Sequence, residues 1–390
     1  MREARPSLSP TVLIAPVDDG YIAYDTERDA FHRINATGAL ILELCDGRRT
    51  VEGIEAAFLA TLELPEEMRS TVKEWLKTSL DAGVISFDSP LEVQHRELDA
   101  DLLTDLARRL RKKGSTTDAL ACQRRAAELA PNDPKVWIFL GELAHIKGER
   151  DTALKAYQRY LELEPDDAEV GHLVLALSDG PIPERAPDDF VLRLYSRFSR
   201  FYNHNMREEL DYRAPELLMD ALDGLMPTDR GALEVLDLGC GTGLVGGLMR
   251  PLARRMYGVD LSPQMVELAR DMGIYDELYV AEVTAWLRNS PRLFDLVIAS
   301  DVLVYFGDLT EVMAGVARVL APDGLFAFTV EQGDNDVKLT DSGRYSHNSD
   351  HVRRVAQLAG LDVAVLRSSV LRMEYGNQVI GLVAVVRKTG

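Results

Sequence analysis

The second half of the chain alternates between short apolar runs and longer amphipathic segments, which predicts parallel strands connected by helices. The first run, residues 234–238, leads directly into Gly239-Cys-Gly-Thr-Gly243, and a helix is predicted to begin at Leu244. Six further strands are predicted at residues 255–260, 277–280, 294–300, 324–330, 363–366 and 379–386. Together these elements predict a seven-stranded α/β domain.

The first part of the chain has a different pattern, with strands before helices. Short strands are predicted at residues 12–14, 21–24 and 30–34, and helical periodicity follows at residues 37–44, 50–59 and 66–80. Gly83 ends the last helix, and residues 84–86 complete the unit. This order predicts a small α+β domain in which three helices cover one sheet.

Residues 91–180 are helical and repeat with a period of 34 residues, which is the period of tetratricopeptide helix pairs. The recurring pairs are Gly114 and Gly148, Leu129 and Leu163, and Pro131 and Pro165. Two and a half copies serve either as a spacer or as a peptide groove. Because residues 181–187 read as a stiff linker, the predicted domains are residues 1–90, 91–180 and 181–390.

Composition narrows the class of protein. The 390-residue chain is 46% hydrophobic and has a net charge of -19, which argues against general binding to nucleic acid. The basic run at residues 108–113 is either a solvated helix face or a site for an acidic partner. The start of the chain lacks the apolar core of a signal peptide, and no run is long enough to span a membrane, so a cytoplasmic protein is expected. Three widely spaced cysteines suggest neither a disulfide framework nor a metal site.

The glycine loop predicts a cofactor site. Glycines at 239, 241 and 243 let the backbone turn and approach a ligand closely, and Asp260 ends the next strand, where a carboxylate can accept hydrogen bonds from a ribose diol. Glycine loops of this kind also bind dinucleotides. The pattern D-L-G-C-G-T-G followed by G-V-D-L-S resembles the class I S-adenosylmethionine-dependent methyltransferases. The resemblance implies S-adenosylmethionine as cofactor and S-adenosylhomocysteine as product. The residues it assigns to cofactor binding are Asp237, Gly239, Cys240, Gly241, Gly243, Asp260, Leu261, Glu282, Val283, Ser300 and Asp301.

The substrate side is expected at the carboxyl ends of the later strands. Residues 301–308 and 342–347 resemble a bacterial group of tetratricopeptide-containing methyltransferases. The candidates for catalysis are Tyr305 as an orienting donor and Glu331 or His347 as a base. The candidates for substrate contact are Tyr195 and Tyr202 in an aromatic lid and Arg344 and Tyr345 in a polar loop. The alternative is that the aromatic residues are core and the loop satisfies its own backbone.

The N-terminal domain also resembles a known family. Ile34-Asn-Ala-Thr-Gly-Ala39 and Leu44-Cys-Asp-Gly-Arg-Arg-Thr-Val51 resemble the PqqD-like domain, the recognition element for leader peptides in ribosomal peptide maturation. The family groove lies between the third strand and third helix, where a peptide can add to the sheet edge. The candidate contacts are Phe31, Arg33, Val72, Trp75 and Leu76. Trp75 is equally consistent with a core position, and the domain could also be a winged-helix-like fragment that only docks.

These patterns predict a multidomain α+β and α/β enzyme: a small winged-helix-like PqqD domain, α-helical tetratricopeptide-like repeats and a Rossmann-like methyltransferase. Its predicted function is methylation of a ribosomally synthesised precursor peptide bound through its leader, with other maturation enzymes as further partners. One alternative is a small-molecule or protein methyltransferase whose front domains are regulatory. Another is a non-catalytic peptide-binding scaffold, against which the intact Asp237, Gly239, Gly241 and Asp260 argue.

Overall fold

The computed structural model divides the chain into two compact units, Met1–Glu164 and Pro165–Gly390. It describes residues 5–17, 20–62, 65, 68–87, 99–178, 180–198, 211–226, 231–374 and 376–389, with the side chains of 196–198 excepted. The small α+β part and the first helical repeats share one unit. The predicted boundary near residue 180 falls inside the second unit, which also contains the last repeat-like helix.

The first unit contains an antiparallel sheet of three strands in the order β2–β3–β4 and a separate sheet in which β1 pairs with β5. The strands are β1 Ser7–Leu8, β2 Val12–Val17, β3 Gly20–Asp25, β4 Ala30–Ile34 and β5 Ile85–Ser86. The helices are α1 Ala36–Leu44, α2 Val51–Thr61 and α3 Arg69–Asp81. Asn35 and Thr50 cap α1 and α2 by accepting the N–H groups of Gly38 and Gly53.

The core between these helices contains two residues predicted to contact a peptide. Val72 is 0% exposed and Leu76 is 5% exposed, and both pack with Ile54 and Phe58 of α2. They face inward because they lie on one stripe of α3, four residues apart. The structure therefore places both residues in the core rather than on a surface that a peptide could contact, whereas Trp75 packs against the same core and is half-buried.

Four helices complete the first unit: α4 Ala100–Lys112, α5 Thr116–Leu129, α6 Pro134–Ile146 and α7 Arg150–Leu163. The period of 34 residues is visible in their starts, at 100 and 134 for one pair and at 116 and 150 for the other. Gly141 lies at the crossing of α6 and α7, where a Cβ atom would stand 2.4 Å from the ring of Tyr157. A larger residue there would force the two helices apart.

The basic run at residues 108–113 pairs within the first unit. Arg109 Nη1 donates to Tyr24 Oη at 2.7 Å, and Lys113 Nζ lies 4.8 Å from the centre of the Phe31 ring. Arg33 of β4 pairs with Asp118 of α5 at 3.1 Å. The side chains of Phe31 and Arg33, predicted to meet a peptide, thus contact α4 and α5 of their own unit.

The second unit contains a mixed sheet with helices on both faces. Its strands are β6 Leu233–Leu238, β7 Ala253–Asp260, β8 Glu277–Val280, β9 Phe294–Ala299, β10 Leu320–Gln332, β11 Val337–Leu339, β12 Tyr345–His347, β13 Leu361–Glu374 and β14 Asn377–Lys388. Its helices are α8 Ala168–Leu177, α9 Asp188–Phe198, α10 Ala214–Leu222, α11 Leu244–Met249, α12 Pro263–Asp271, α13 Val283–Asn289, α14 Thr310–Val319 and α15 Ser349–Leu358. Leu218 of α10 and Val245 of α11 pack on one face, while Leu287 of α13 and Val312 of α14 pack on the other.

The order β8–β7–β6–β9–β10–β14–β13 confirms the predicted seven-stranded Rossmann-like sheet. β14 is antiparallel to both β10 and β13. The order reverses between β6 and β9, and an open sheet forms its ligand crevice at the carboxyl ends of the strands on either side of such a point. The polar stretch after β10 is not a simple loop, because β11 and β12 form a hairpin that pairs with the last residues of β10.

Across the described ranges, no helix is long and apolar enough to cross a membrane. Within the same ranges, no group of three or more histidine, cysteine or acidic side chains is placed to hold a metal ion. Cys45, Cys122 and Cys240 are buried thiols without a disulfide partner.

Candidate active site

The glycine loop after β6 presents its backbone to a cleft. Gly239 has φ 63° and Gly241 has φ 52°, in the left-handed region that glycine adopts without a steric cost. A Cβ atom at Gly239 would stand 2.1 Å from Val302 Cγ2, whereas one at Gly241 would meet nothing within 4 Å. Gly239 therefore allows the loop to pack on the turn after β9, and Gly241 borders open space where a ligand can lie.

Asp260 at the end of β7 holds this loop in place. Its Oδ2 accepts the N–H of Gly241 at 2.9 Å, and its Oδ1 accepts the N–H of Ser262 at 2.8 Å. Burial raises the pKa of Asp260, and these two backbone donors oppose the rise. Each carboxylate oxygen has a further lone pair, so the group can also accept hydrogen bonds from a diol.

The cleft encloses about 690 Å³ of space, part of it open to solvent. Eight of the eleven predicted cofactor residues line it, namely Gly239, Gly241, Asp260, Leu261, Glu282, Val283, Ser300 and Asp301. Asp237, Cys240 and Gly243 are not among the lining residues. The open space at Gly241 and the carboxylate at Asp260 fit a nucleoside with a free ribose diol.

Glu282 has a local structural role in addition to its place in the cleft. Its carboxylate caps α13 by accepting the N–H of Thr284 at 2.9 Å and that of Ala285 at 2.7 Å. Such a cap satisfies backbone donors that the helix itself leaves unpaired. Its carboxylate is thus engaged locally, and Val283, which starts the helix, lines the cleft beside it.

Asp237 lies beneath the glycine loop and bonds to a residue that the sequence reasoning missed. Tyr275 Oη donates to Asp237 Oδ2 at 2.7 Å. Burial raises the pKa of Asp237 to about 7, although the Tyr275 bond opposes this rise. The sequence contains one indication of this contact, a glycine at position 246, where an added Cβ atom would lie 2.3 Å from Tyr275 Oη. The glycine leaves room for an aromatic side chain from elsewhere in the chain.

The raised pKa of Asp237 predicts a pH dependence of stability. The folded state holds this proton more tightly than the unfolded chain, where the pKa is near 4, so the stability contribution falls as pH rises through about 7. Between about pH 5.5 and about pH 8, the melting temperature of Asp237→Asn should therefore fall less than that of the wild type. The variant should still lose some stability over this pH range, because the pKa of Asp260 is also raised. Equal slopes for variant and wild type, measured by scanning calorimetry without ligand, would contradict this prediction.

Two tyrosines are also among the residues of the cleft. Tyr195 of α9 and Tyr305, at the end of the short 3₁₀ helix Leu303–Tyr305, both line the cleft, and their hydroxyl oxygens lie 3.0 Å apart. Burial raises the pKa of Tyr305, so its hydroxyl stays protonated and can orient an acceptor by hydrogen bonding. Tyr202, predicted to share this lid, lies outside the described residues.

Glu331, predicted as a base, belongs to a buried ion cluster instead of the cleft lining. Arg344 Nε donates to Glu331 Oε1 at 2.7 Å, and Arg372 donates to the same oxygen. Although burial opposes its ionisation, the guanidinium groups of Arg344 and Arg372 lower the pKa of Glu331. A carboxylate held as an anion by two arginines is a weak base. The structure therefore places Glu331 and Arg344 as ion-pair partners rather than as substrate contacts.

His347 and Tyr345 of β12 are core residues. Both are 0% exposed, and neither is among the residues that line the cleft. His347 Nε2 lies 3.0 Å from the carbonyl oxygen of Gly307, and burial lowers the histidine pKa to about 4. Burial raises the pKa of Tyr345 to about 12. The structure therefore argues against His347 as a base that reaches the acceptor and against Tyr345 as a substrate contact.

Three family models match the chain, at positions that agree with the fold. The model described as "Methyltransferase domain" matches residues 236–328, and "Coenzyme PQQ synthesis protein D (PqqD)" matches residues 20–85. The model described as "Tetratricopeptide repeat" matches residues 134–167, which contain α6 and α7.

Similar curated proteins align with part of the chain. Methyltransferase-like protein 27 of Homo sapiens is 31% identical over 39% of this chain and 62% of its own length. Malonyl-[acyl-carrier protein] O-methyltransferase of Enterobacter lignolyticus is 29% identical over 46% of this chain and 68% of its own length. Ubiquinone biosynthesis O-methyltransferase of Xanthomonas euvesicatoria is 29% identical over 36% of this chain and 63% of its own length. This chain thus spans less than two thirds of the length of the first and third of these relatives.

Among solved structures, an S-adenosylmethionine-dependent methyltransferase from Clostridium acetobutylicum is similar with a TM-score of 0.38 and 18% identity, covering 50% of this chain and all of that one. The chain therefore carries a methyltransferase domain within its second unit, together with a PqqD domain and a tetratricopeptide repeat.

Proposed function

We propose that this chain methylates a ribosomally synthesised precursor peptide and that its first unit binds the leader of that peptide. The observation that carries the proposal is the position of strand β4 at the edge of its sheet. Within the described part of the chain, β4 pairs with β3 alone, so its other edge has backbone groups that an added strand can use.

The register of the sheet indicates which groups face that edge. Thr26 N–H donates to the Thr11 carbonyl oxygen at 2.8 Å, so the pair that follows Val12 and Asp25 in the β2–β3 register is a hydrogen-bonded pair. Because hydrogen-bonded and non-hydrogen-bonded pairs alternate along antiparallel strands, the backbone N–H groups of Phe31 and Arg33 are expected to face outward. A leader strand would thus bond to these groups, and Trp75 is the remaining candidate on α3 for its side chains.

The residues of the cleft prepare the transfer by position more than by acid–base chemistry. When bound, S-adenosylmethionine supplies an already activated methyl group. The glycine loop and Asp260 would hold the nucleoside on one side, and Tyr195 and Tyr305 would orient the acceptor on the other. Fixing two reactants in line lowers the barrier by converting a bimolecular step into an effectively unimolecular one.

We also propose that the protein is cytoplasmic and that other maturation enzymes are its partners.

A second candidate function is methylation of a small molecule or carrier-bound acyl group, with regulatory front domains. The names of the relatives favour it, since they include a malonyl-[acyl-carrier protein] and a ubiquinone biosynthesis O-methyltransferase. The contacts of Phe31 and Arg33 with α4 and α5 also suit a domain that docks within its own unit.

The test uses a short precursor encoded beside the gene. The full chain is incubated with S-adenosylmethionine and either the whole precursor or its core without the leader. We expect mass spectrometry to show one added methyl group on the whole precursor and much slower modification of the leaderless core. Equal rates for the two peptides, or modification of a small acceptor only, would favour the second candidate.

A further inference from the structure

The turn after β9 has an unusual backbone conformation at the border of the cleft. Asp301 has φ 58°, which residues other than glycine rarely adopt. Its N–H donates to Thr329 Oγ1 of β10 at 2.9 Å, and the following residue, Val302, packs directly against Gly239. The turn is therefore fixed to β10 on one side and touches the glycine loop on the other.

The side chain of Asp301 is held by Arg372 of β13. Arg372 Nη1 lies 3.0 Å from Asp301 Oδ1 and 2.7 Å from Oδ2, while its Nη2 donates to Glu331. Arg344 completes the cluster by bonding to Glu331 and Glu374. Two guanidinium groups thus serve three carboxylates, and Arg372 itself is 4% exposed. Its bonding groups are engaged by the protein's own carboxylates.

We propose that Arg372 is a positioning residue for methyl transfer: by holding Asp301, it keeps residues 300–302 against the glycine loop and thereby fixes the border of the cofactor cleft. Buried ion pairs often add little net stability, since desolvation offsets their attraction, but they restrict geometry. Tyr305 lies in the 3₁₀ helix that begins at Leu303, directly after this turn, so the same contact also orients the acceptor side. The inference rests on the cofactor site and is independent of the peptide substrate.

The test measures the affinity of the full chain for S-adenosylhomocysteine by titration calorimetry. Arg372→Lys keeps the charge, but an ammonium group cannot bond to Asp301 and Glu331 at the same time as the planar guanidinium does. We therefore expect the dissociation constant to rise about tenfold. Thr329→Val removes the backbone anchor of the same turn without a change of charge, and should weaken binding about fivefold. The control is Arg367→Lys on the same strand, an exposed arginine that bonds to the Leu217 carbonyl, which should stay within about twofold.

A double variant separates positioning from general stability. Asparagine tolerates a positive φ and needs no guanidinium partner, so Asp301→Asn placed in the Arg372→Lys background should recover most of the lost affinity while keeping a side chain of the same shape in the cleft. Unchanged affinity in Arg372→Lys would overturn the proposal, as would failure of the double variant to recover affinity while melting temperatures fall in parallel. If Arg372→Lys does not fold, wild-type affinity in folded Thr329→Val overturns it. Absence of binding to the wild type would instead contradict the cofactor site itself.

Discussion

Replacing Asp260 with alanine is expected to weaken binding of S-adenosylhomocysteine by one to two orders of magnitude. The variant loses the carboxylate that would accept the ribose diol, and it also releases the N–H groups of Gly241 and Ser262 that now fix the loop. A hydrogen bond to a charged group contributes about 1.5 to 3 kcal/mol, which corresponds to this range. Titration calorimetry on the full chain measures the change.

Asp276→Ala is the matched control for this variant. Asp276 is also a carboxylate beside β7, and its Oδ2 accepts the N–H of Met256 at 2.8 Å, but it does not line the cleft. Its replacement should lower the melting temperature by a few degrees and leave the affinity nearly unchanged. Equal affinity in Asp260→Ala and wild type would remove the carboxylate from the cofactor site, whatever the fate of the control.

Arg33→Pro is expected to weaken leader binding by at least tenfold and to raise the Michaelis constant for the whole precursor in proportion. Proline removes the backbone donor that is expected to face away from β3, and the tethering of the core near the cleft is lost with the leader. Fluorescence anisotropy with a labelled leader measures binding, and affinity for S-adenosylhomocysteine should not change.

Two further variants isolate the backbone effect. Arg33→Ala removes the ion pair with Asp118 but keeps the N–H, so it should weaken leader binding much less than the proline variant. His32→Pro removes a donor expected to face β3, and should lower the melting temperature more than Arg33→Pro does. If Arg33→Pro is folded and binds the leader as tightly as Arg33→Ala does, strand addition at this edge is wrong.

The strands and the glycine loop could be predicted because their signals are local. Residues 234–243 combine an apolar run with glycines at the positions that need positive φ, and no distant residue has to be known. The repeat period likewise survives as helix starts spaced by 34 residues.

The acceptor side could not be predicted in the same way, because it depends on pairings between distant parts of the chain. Arg372 gave no signal in the sequence, since a charged residue within a strand is ordinarily read as solvent-exposed. His347 looked like a base in a polar loop, but the β11–β12 hairpin buries it. Tyr275 was missed for the same reason, because its partner Asp237 lies on β6, 38 residues earlier in the chain.

The position of α8 within the second unit determines where domains of such chains can be recombined. His172 of α8 is 1% exposed, bonds to the Gly343 carbonyl at 2.9 Å and lies with its ring centre 4.5 Å from that of Phe190, so this repeat-like helix folds with the catalytic unit. A recombination joint placed at the linker near residue 181 would separate the histidine from its partner and leave a hole beside the hairpin. Chimeras that graft a foreign recognition region onto this catalyst should therefore be joined between Glu164 and Pro165, with α8 inherited from the catalytic parent.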